Sequence, residues 1–272
     1  MDKYGIIGYP LGHSFSPKIH NPAFKYLNID AKYEIYPIEP ISFETKIGEL
    51  KAGDYCGFNV TVPFKQKIIP FIDVIDPQAH KVNAVNTIKK VAGKWHGSNT
   101  DLYGFLLPIQ DDLKSIKNVL VLGAGGAANA VCFALLDSAS IEYMTIANRT
   151  IENAEILKNR LSHYYKLPLK TIQLDIKVVD KYDLIVNTTS LGMGKTADKN
   201  PFDIKGCYHN DTIVYDLIYN PKETRLLKEA KRQKLKALNG LDMLIGQAAK
   251  SFFIWTGQQF PSHLIQKDIF YK

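Results

Sequence analysis

The sequence predicts an α/β protein of two domains: an N-terminal, mostly parallel α/β domain, then a doubly wound domain, with C-terminal helices that can return to the first. Three observations predict it. The chain has 272 residues, 46% apolar and 22% charged, enough for roughly two hydrophobic cores of ordinary size. Short apolar strands alternate with helix-length segments along most of it, the pattern of sheets covered on both faces. Finally, Asn118-Val-Leu-Val-Leu-Gly-Ala-Gly-Gly-Ala-Ala-Asn-Ala130 runs from an apolar strand through three glycines straight into a small-residue helix.

The elements follow in order. Tyr4–Gly8 reads as a strand, Pro17–Leu27 as a helix, Lys32–Ile38 as a strand and Ser42–Leu50 as a helix. A short strand at Gly57–Val62 leads to a helix opening near Pro63. Val85–Lys90 and Lys94–His96 form a hairpin across Val91-Ala-Gly93, and a helix runs from Asp101 to about Leu113. Strands then recur at Val119–Leu122, Tyr143–Ala147, Lys170–Gln173, Asp183–Asn187, Ile213–Asp216 and Lys236–Ala237, with helices between most of them. A long helix, Leu241–Thr256, carries Met243, Leu244, Ala248, Phe252 and Trp255 for a buried face, and a last helix follows Pro261. The expected domains are 1–101, 102–240 and the C-terminal helices of 241–272, packed back on the first.

The glycine turn is the organising feature. Gly123, Gly125 and Gly126 let backbone approach a pyrophosphate, and the helix from Ala127 offers unpaired N–H groups and partial positive charge, as in Rossmann-type nucleotide domains. At the end of the next strand, where an NAD enzyme carries an acid for the ribose, stand Asn148, Arg149 and Thr150. A guanidinium suits a 2′-phosphate, which favours NADP. Asn148 and Thr150 can equally start the next helix.

Composition narrows the function classes. No apolar run approaches the ~20 residues of a membrane span, and Tyr4–Gly8 already reads as a strand rather than a signal peptide. A cytoplasmic protein is expected. Cys56, Cys132 and Cys207 share no metal or redox spacing and read as reduced thiols, and no metal site is expected. The net charge of +7 comes from scattered lysines without a basic block, which argues against nucleic acid and leaves a field favourable to small anions.

Three polar clusters remain. In Gly8-Tyr-Pro-Leu-Gly-His-Ser-Phe-Ser-Pro17, Ser16 can cap the helix that Pro17 opens, or Ser14 and Ser16 can grip a carboxylate. In Asn59-Val-Thr-Val-Pro-Phe-Lys65, strand alternation points Asn59 and Thr61 to one side. Lys65, unfavourable at a helix start, is either a solvated surface lysine or a functional one. The third cluster joins Asn86-Thr87 to Gly97-Ser-Asn-Thr-Asp101, where Asn99 or Thr100 can cap a helix and Asp101 sits in its first turn. Lys65 and Asp101 could meet, and a lysine paired to a carboxylate can exchange a proton with a carbinol.

Taken together these stretches, with Ala84-Val-Asn-Thr87, Asn187-Thr-Thr-Ser190 and Gly240-Leu-Asp-Met-Leu-Ile-Gly-Gln247, resemble the shikimate dehydrogenase family along nearly the whole chain. The resemblance implies reversible NADPH-dependent reduction of 3-dehydroshikimate to shikimate, on the route to chorismate and the aromatic amino acids, by a monomer or homodimer. It assigns the substrate carboxylate to Ser14 and Ser16 and its hydroxyls to Asn59, Thr61, Asn86, Asp101 and Gln247, with Tyr219 also on the substrate side. Acid–base chemistry falls to Lys65 beside Asp101. The NADP set would be Gly123, Ala124, Gly125, Gly126, Ala127, Asn148, Arg149, Thr150, Thr188, Leu217, Gly240 and Met243. Three departures matter: Leu102-Tyr-Gly104 follows Asp101 where the family commonly has glycine directly, Asn83 replaces a common glycine, and Asn153 stands where some members have a second arginine, leaving Arg149 as the main cation for the 2′-phosphate. The alternatives are a quinate/shikimate dehydrogenase of broader range, possibly on NAD, then a methylene-tetrahydrofolate dehydrogenase, and last a non-catalytic NADP-binding sensor.

Overall fold

The computed structural model describes residues 1–12, 14–176 and 179–265 and has the expected α/β architecture, in two units. Among the described residues the first unit comprises Met1–Gly104 together with residues 245–265; the second is Phe105–Leu244. His13 and the chain from residue 266, which includes part of the expected last helix, lie outside the described residues.

The first unit contains β1 (Asp2–Gly8), α1 (Ser16–Tyr26), β2 (Ala31–Pro37), α2 (Phe43–Ala52), β3 (Gly57–Val60), β4 (Val74–Ile75), α3 (Pro77–Val82), β5 (Thr87–Val91), β6 (Lys94–Ser98) and the start of α4 (Asp101–Leu106). Its sheet runs β2-β1-β3-β5-β6-β4. β2, β1 and β3 are parallel, as are β4 and β6, while the β5–β6 hairpin is antiparallel to β3. Alternation along β1 sends Ile7 to one core, with Phe43, Ile47, Phe58 and Trp95. Tyr4 and Ile6 go to another, with Phe24, Tyr33, Phe252 and Trp255.

His20 belongs to that second core. It is fully buried, neither ring nitrogen has a hydrogen-bond partner among the described residues, and its ring stacks on Tyr33 at 4.5 Å between centroids. Burial pushes its pKa down from 6.5 to about 3. Between those values the unfolded chain holds a proton that the folded one refuses, so this contribution is lost as pH falls below 6.5. The cost is about 3 kcal/mol between pH 7 and pH 4. Denaturant titrations at both pH values should show a steeper acid loss for wild type than for His20→Phe; equal slopes would mean His20 is protonated in the native state.

Proline accounts for two local departures. Ile68 N–H does reach Phe64 O, one α-type turn, but no α-helix opens at Pro63. Pro70 has no N–H for Gln66 O, and the segment tightens into a 3₁₀ turn at Ile69–Phe71. The helix from Asp101 likewise stops at Leu106 and gives way to a 3₁₀ turn containing Pro108 rather than reaching Leu113. After Pro261 the described residues form only a 3₁₀ turn, Ser262–Leu264. The unanticipated α3 is capped by the Asp76 carboxylate, which accepts Ala79 N–H at 2.6 Å. It ends on Asn83 at φ +55°, a left-handed position suited to glycine or asparagine.

The second unit contains β7 (Asn118–Leu122), α5 (Gly126–Ser138), β8 (Tyr143–Asn148), α6 (Ile151–Tyr164), β9 (Leu169–Gln173), β10 (Tyr182–Asn187), β11 (Tyr208–Asp216), α7 (Arg225–Arg232) and β12 (Lys236–Asn239). The strand order is β12-β11-β10-β7-β8-β9, parallel throughout. Val119–Leu122 are fully buried, as strands covered on both faces must be. The order reverses direction between β7 and β10, where the glycine turn leaves β7. The helix α8 (Leu241–Thr256) then leads into the closing part of the first unit. No helix of the described residues is long and apolar enough to cross a membrane, and all three cysteines are free.

Candidate active site

Lys65 and Asp101 lie 36 positions apart, and the structure brings Lys65 Nζ to 2.5 Å from Asp101 Oδ2, with the side chains 30% and 15% exposed. Local folding sets both ends. Lys65 lies in the turn after β3, where its carbonyl accepts Val85 N–H at 2.8 Å. Asp101 opens α4, capped by Asn99 Oδ1, which accepts Asp101 N–H at 3.0 Å; Asn99 Nδ2 in turn donates to Ala84 O at 2.9 Å. Both groups therefore hang from the segment that enters β5.

Asn86 fixes the carboxylate. Its Nδ2 donates to Asp101 Oδ1 at 2.8 Å and to Thr100 Oγ1 at 3.0 Å, while its Oδ1 accepts Thr100 N–H at 2.8 Å and the Thr87 hydroxyl at 2.9 Å. Asn59 extends the network: its Nδ2 reaches Asn86 O at 3.2 Å, Thr87 Oγ1 at 3.2 Å and Ser251 Oγ at 3.0 Å. Ser251, fully buried on α8, also donates to Gln247 O at 2.9 Å and so ties that helix to the asparagines. In the sequence Thr87 and Thr100 read only as a neighbour of Asn86 and a candidate helix cap, and Ser251 does not stand out; its signal is its place one helical turn beyond Gln247.

Ser14 and Ser16 form a second group. Ser14 Oγ donates to Ser16 Oγ at 3.2 Å and accepts Ser16 N–H at 3.3 Å. Ser16 is not the cap that its place before Pro17 suggests: it is the first residue of α1, Phe15 occupies the cap position, and no side chain caps the helix. Of the first N–H groups of α1, that of Ser16 goes to Ser14, Pro17 has none, and those of Lys18 and Ile19 go to Phe15 O at 2.9 and 3.2 Å. Thr61 directly follows β3; its N–H donates to Ile7 O at 2.9 Å, and its hydroxyl has no hydrogen-bond partner among the described residues. Tyr33 is 1% exposed and donates its phenol proton to Asn59 Oδ1 at 2.7 Å. Burial raises that phenol far above its ordinary value, and the Ser16 hydroxyl beside it draws it back.

In the second unit the glycine turn has room where an anion would sit. Gly123 has φ +110°, and a Cβ there would lie 2.5 Å from Thr188 Oγ1, whereas Gly125 and Gly126 face open space. Thr188 is held by its hydroxyl and N–H, which donate to Leu122 O at 2.7 and 2.9 Å. α5 starts at Gly126 with no side-chain cap. At the end of β8, Asn148 Nδ2 donates to Thr150 O at 2.7 Å and braces the turn; Thr150 precedes α6 without a side-chain cap. Arg149 is exposed, has no ion-pair partner among the described residues, and lines a cavity of about 500 Å³ with Ile176, Leu191, Phe202, Asp203 and Lys205.

Gly240 packs on Leu217, whose carbonyl oxygen would lie 1.9 Å from a Cβ; this close approach admits no side chain. Met243 follows on α8, and Tyr219, partly buried, follows β11. Below Leu217, Asp216 is fully buried and accepts Asn187 Nδ2 at 2.9 Å, Ile218 N–H at 3.1 Å and the Thr224 hydroxyl at 2.6 Å. Burial outweighs these bonds and pushes its carboxyl up to about 6.

Three family models match this chain. A shikimate dehydrogenase substrate binding domain covers residues 6–88, a shikimate/quinate 5-dehydrogenase model covers 108–195, and a shikimate 5′-dehydrogenase C-terminal domain covers 240–267. A shikimate dehydrogenase (NADP(+)) of Caldanaerobacter subterraneus is 38% identical over 98% of this chain and 95% of its own. A crystal structure of a shikimate dehydrogenase in complex with NADP+ superposes with a TM-score of 0.89 at 39% identity, over 97% of this chain and 92% of that one. Another, from Listeria monocytogenes in complex with shikimate and NAD, gives 0.90 at 28% identity, over 99% and 96%.

Proposed function

The chain belongs to the shikimate dehydrogenase family, and we propose that it catalyses the reversible NADPH-dependent reduction of 3-dehydroshikimate to shikimate. The observation that carries the chemistry is the Lys65–Asp101 pair, locked at 2.5 Å and held from behind by Asn86. When bound, NADPH would supply a hydride to the ketone carbon, and that addition leaves negative charge on oxygen. Lys65 is the cation and proton donor for that oxygen. One of its three N–H donors is committed to Asp101, and the others are available to substrate. Asp101 stabilises the ammonium and fixes its position. Once the proton has gone, Lys65 can recover one from solvent, to which its side chain is 30% exposed.

Ser14 and Ser16 bind the substrate carboxylate beside the start of α1, where the partial positive charge of the helix favours an anion. Thr61 offers its unpaired hydroxyl, and Asn59, Asn86, Gln247 and Tyr219 complete the polar set. The glycine turn fits a pyrophosphate, with open space at Gly125 and Gly126 and unpaired N–H groups at the start of α5. Ala124 and Ala127 belong to that turn, Arg149 with Asn148 and Thr150 would hold the ribose phosphate, and Thr188, Leu217, Gly240 and Met243 the remainder of NADP.

The direct test follows reduced-cofactor absorbance with shikimate and with quinate, each with NADP and with NAD. Shikimate with NADP is expected to give the highest kcat/KM. No turnover in any combination removes the function, and faster turnover of quinate replaces the substrate.

A further inference from the structure

We propose that Tyr33 is a positioning residue for this reaction, acting through Asn59 and Asn86 on the Lys65–Asp101 pair. The role rests on the function proposed above. Its basis is a directed chain of hydrogen bonds within the first unit.

Direction follows from donor and acceptor chemistry. Asn86 O is a backbone carbonyl and can only accept, so the Asn59 atom 3.2 Å from it must be the amide nitrogen. The other end of Asn59 is then its oxygen, which requires a donor, and Tyr33 OH at 2.7 Å is the group placed to supply one. With its proton spent on Asn59, the Tyr33 hydroxyl is committed to that partner. On the far side, Asn59 Nδ2 donates to Thr87 Oγ1 at 3.2 Å, Thr87 to Asn86 Oδ1 at 2.9 Å, and Asn86 to Asp101 Oδ1 at 2.8 Å.

Tyr33 is the link whose loss is most specific. An amide has nearly the same shape when flipped, so its orientation depends on what lies at each end. Without the phenol, Asn59 Oδ1 is left buried with no donor, and the preference for one orientation weakens. A rotated Asn59 no longer supports Thr87, and Asn86 loses part of its hold on Asp101. The ring itself contributes packing, stacking on His20 and lying against Trp255 at 5.9 Å. Tyr33→Phe keeps the ring contacts and removes only the hydroxyl.

The test is a double-mutant cycle of Tyr33→Phe and Asn59→Ala, with Asn59→Ser in place of the alanine if that variant does not fold. kcat and both KM values are measured for all forms. Tyr33→Phe alone is expected to lower kcat/KM for shikimate about tenfold while KM for NADP stays within about twofold. In the Asn59 background the same substitution should have almost no further effect, because its only route to the substrate has been removed. A merely structural tyrosine would affect both substrates alike and add its loss to that of Asn59. Additive losses, or unchanged kcat/KM in Tyr33→Phe, overturn this role alone; absence of shikimate turnover in the wild type overturns the function and this role together.

Discussion

Replacing Lys65 by alanine is expected to lower kcat about 10³-fold, the combined scale of a lost proton donor and a lost transition-state cation. Shikimate binding should weaken by less than about tenfold, because an interaction made mainly with charge on the developing alkoxide contributes little to the ground state. The geometry supports that division. In the proposed site the serines, Thr61 and the asparagines would hold substrate independently of Lys65, whose described side-chain hydrogen bond is to Asp101. Steady-state kinetics with a separate shikimate titration check it. Near-normal kcat would return Lys65 to the status of a surface lysine. A proportionate loss of affinity and kcat would make it a binding residue.

The second large effect is expected at Arg149. Charge-assisted hydrogen bonds to phosphate are worth about 1.5–3 kcal/mol, so Arg149→Ala should raise KM for NADP about ten- to a hundredfold. KM for NAD, which has no 2′-phosphate, should change by less than about threefold. The selectivity arises because Arg149 has no ion-pair partner among the described residues and stands exposed beside the cavity. Lys205 lines the same cavity, but Asp175 and Asp203 line it too and offset its charge. Equal rises for the two cofactors would show that Arg149 does not read the 2′-phosphate.

The strands and their connection to the glycine turn are legible in the sequence because burial on both faces demands continuous apolar runs, as in Val119–Leu122. The joining of Lys65 to Asp101 is approachable because each sits at the end of an element in the first unit. Tyr33 and Ser251 are not legible. Each looks like an ordinary core residue in its own strand or helix, and their polar partners lie 26 and 192 positions away. The helix expected at Pro63 fails because Pro70 cannot donate the bond that would carry it past its first turn. Ser16 resembles a cap because an N-cap is a local pattern, whereas the actual register of α1 is set by burial of Ile19, Ala23 and Phe24.

Because the first unit is built from both ends of the described chain, the order of synthesis separates its parts. Residues up to Gly104 emerge first, but Phe252 and Trp255 complete their core, Trp255 Nε1 caps Ile88 O at 2.9 Å, and Ser251 completes the Asn59 network. Roughly 140 residues of the second unit lie between, a translation delay on the order of ten seconds. Throughout that time the nascent first unit exposes the apolar groove that α8 will fill, while the contiguous second unit can fold as it emerges. The second unit is therefore the natural first product of biosynthesis, and the newborn chain completes its first unit only when α8 arrives.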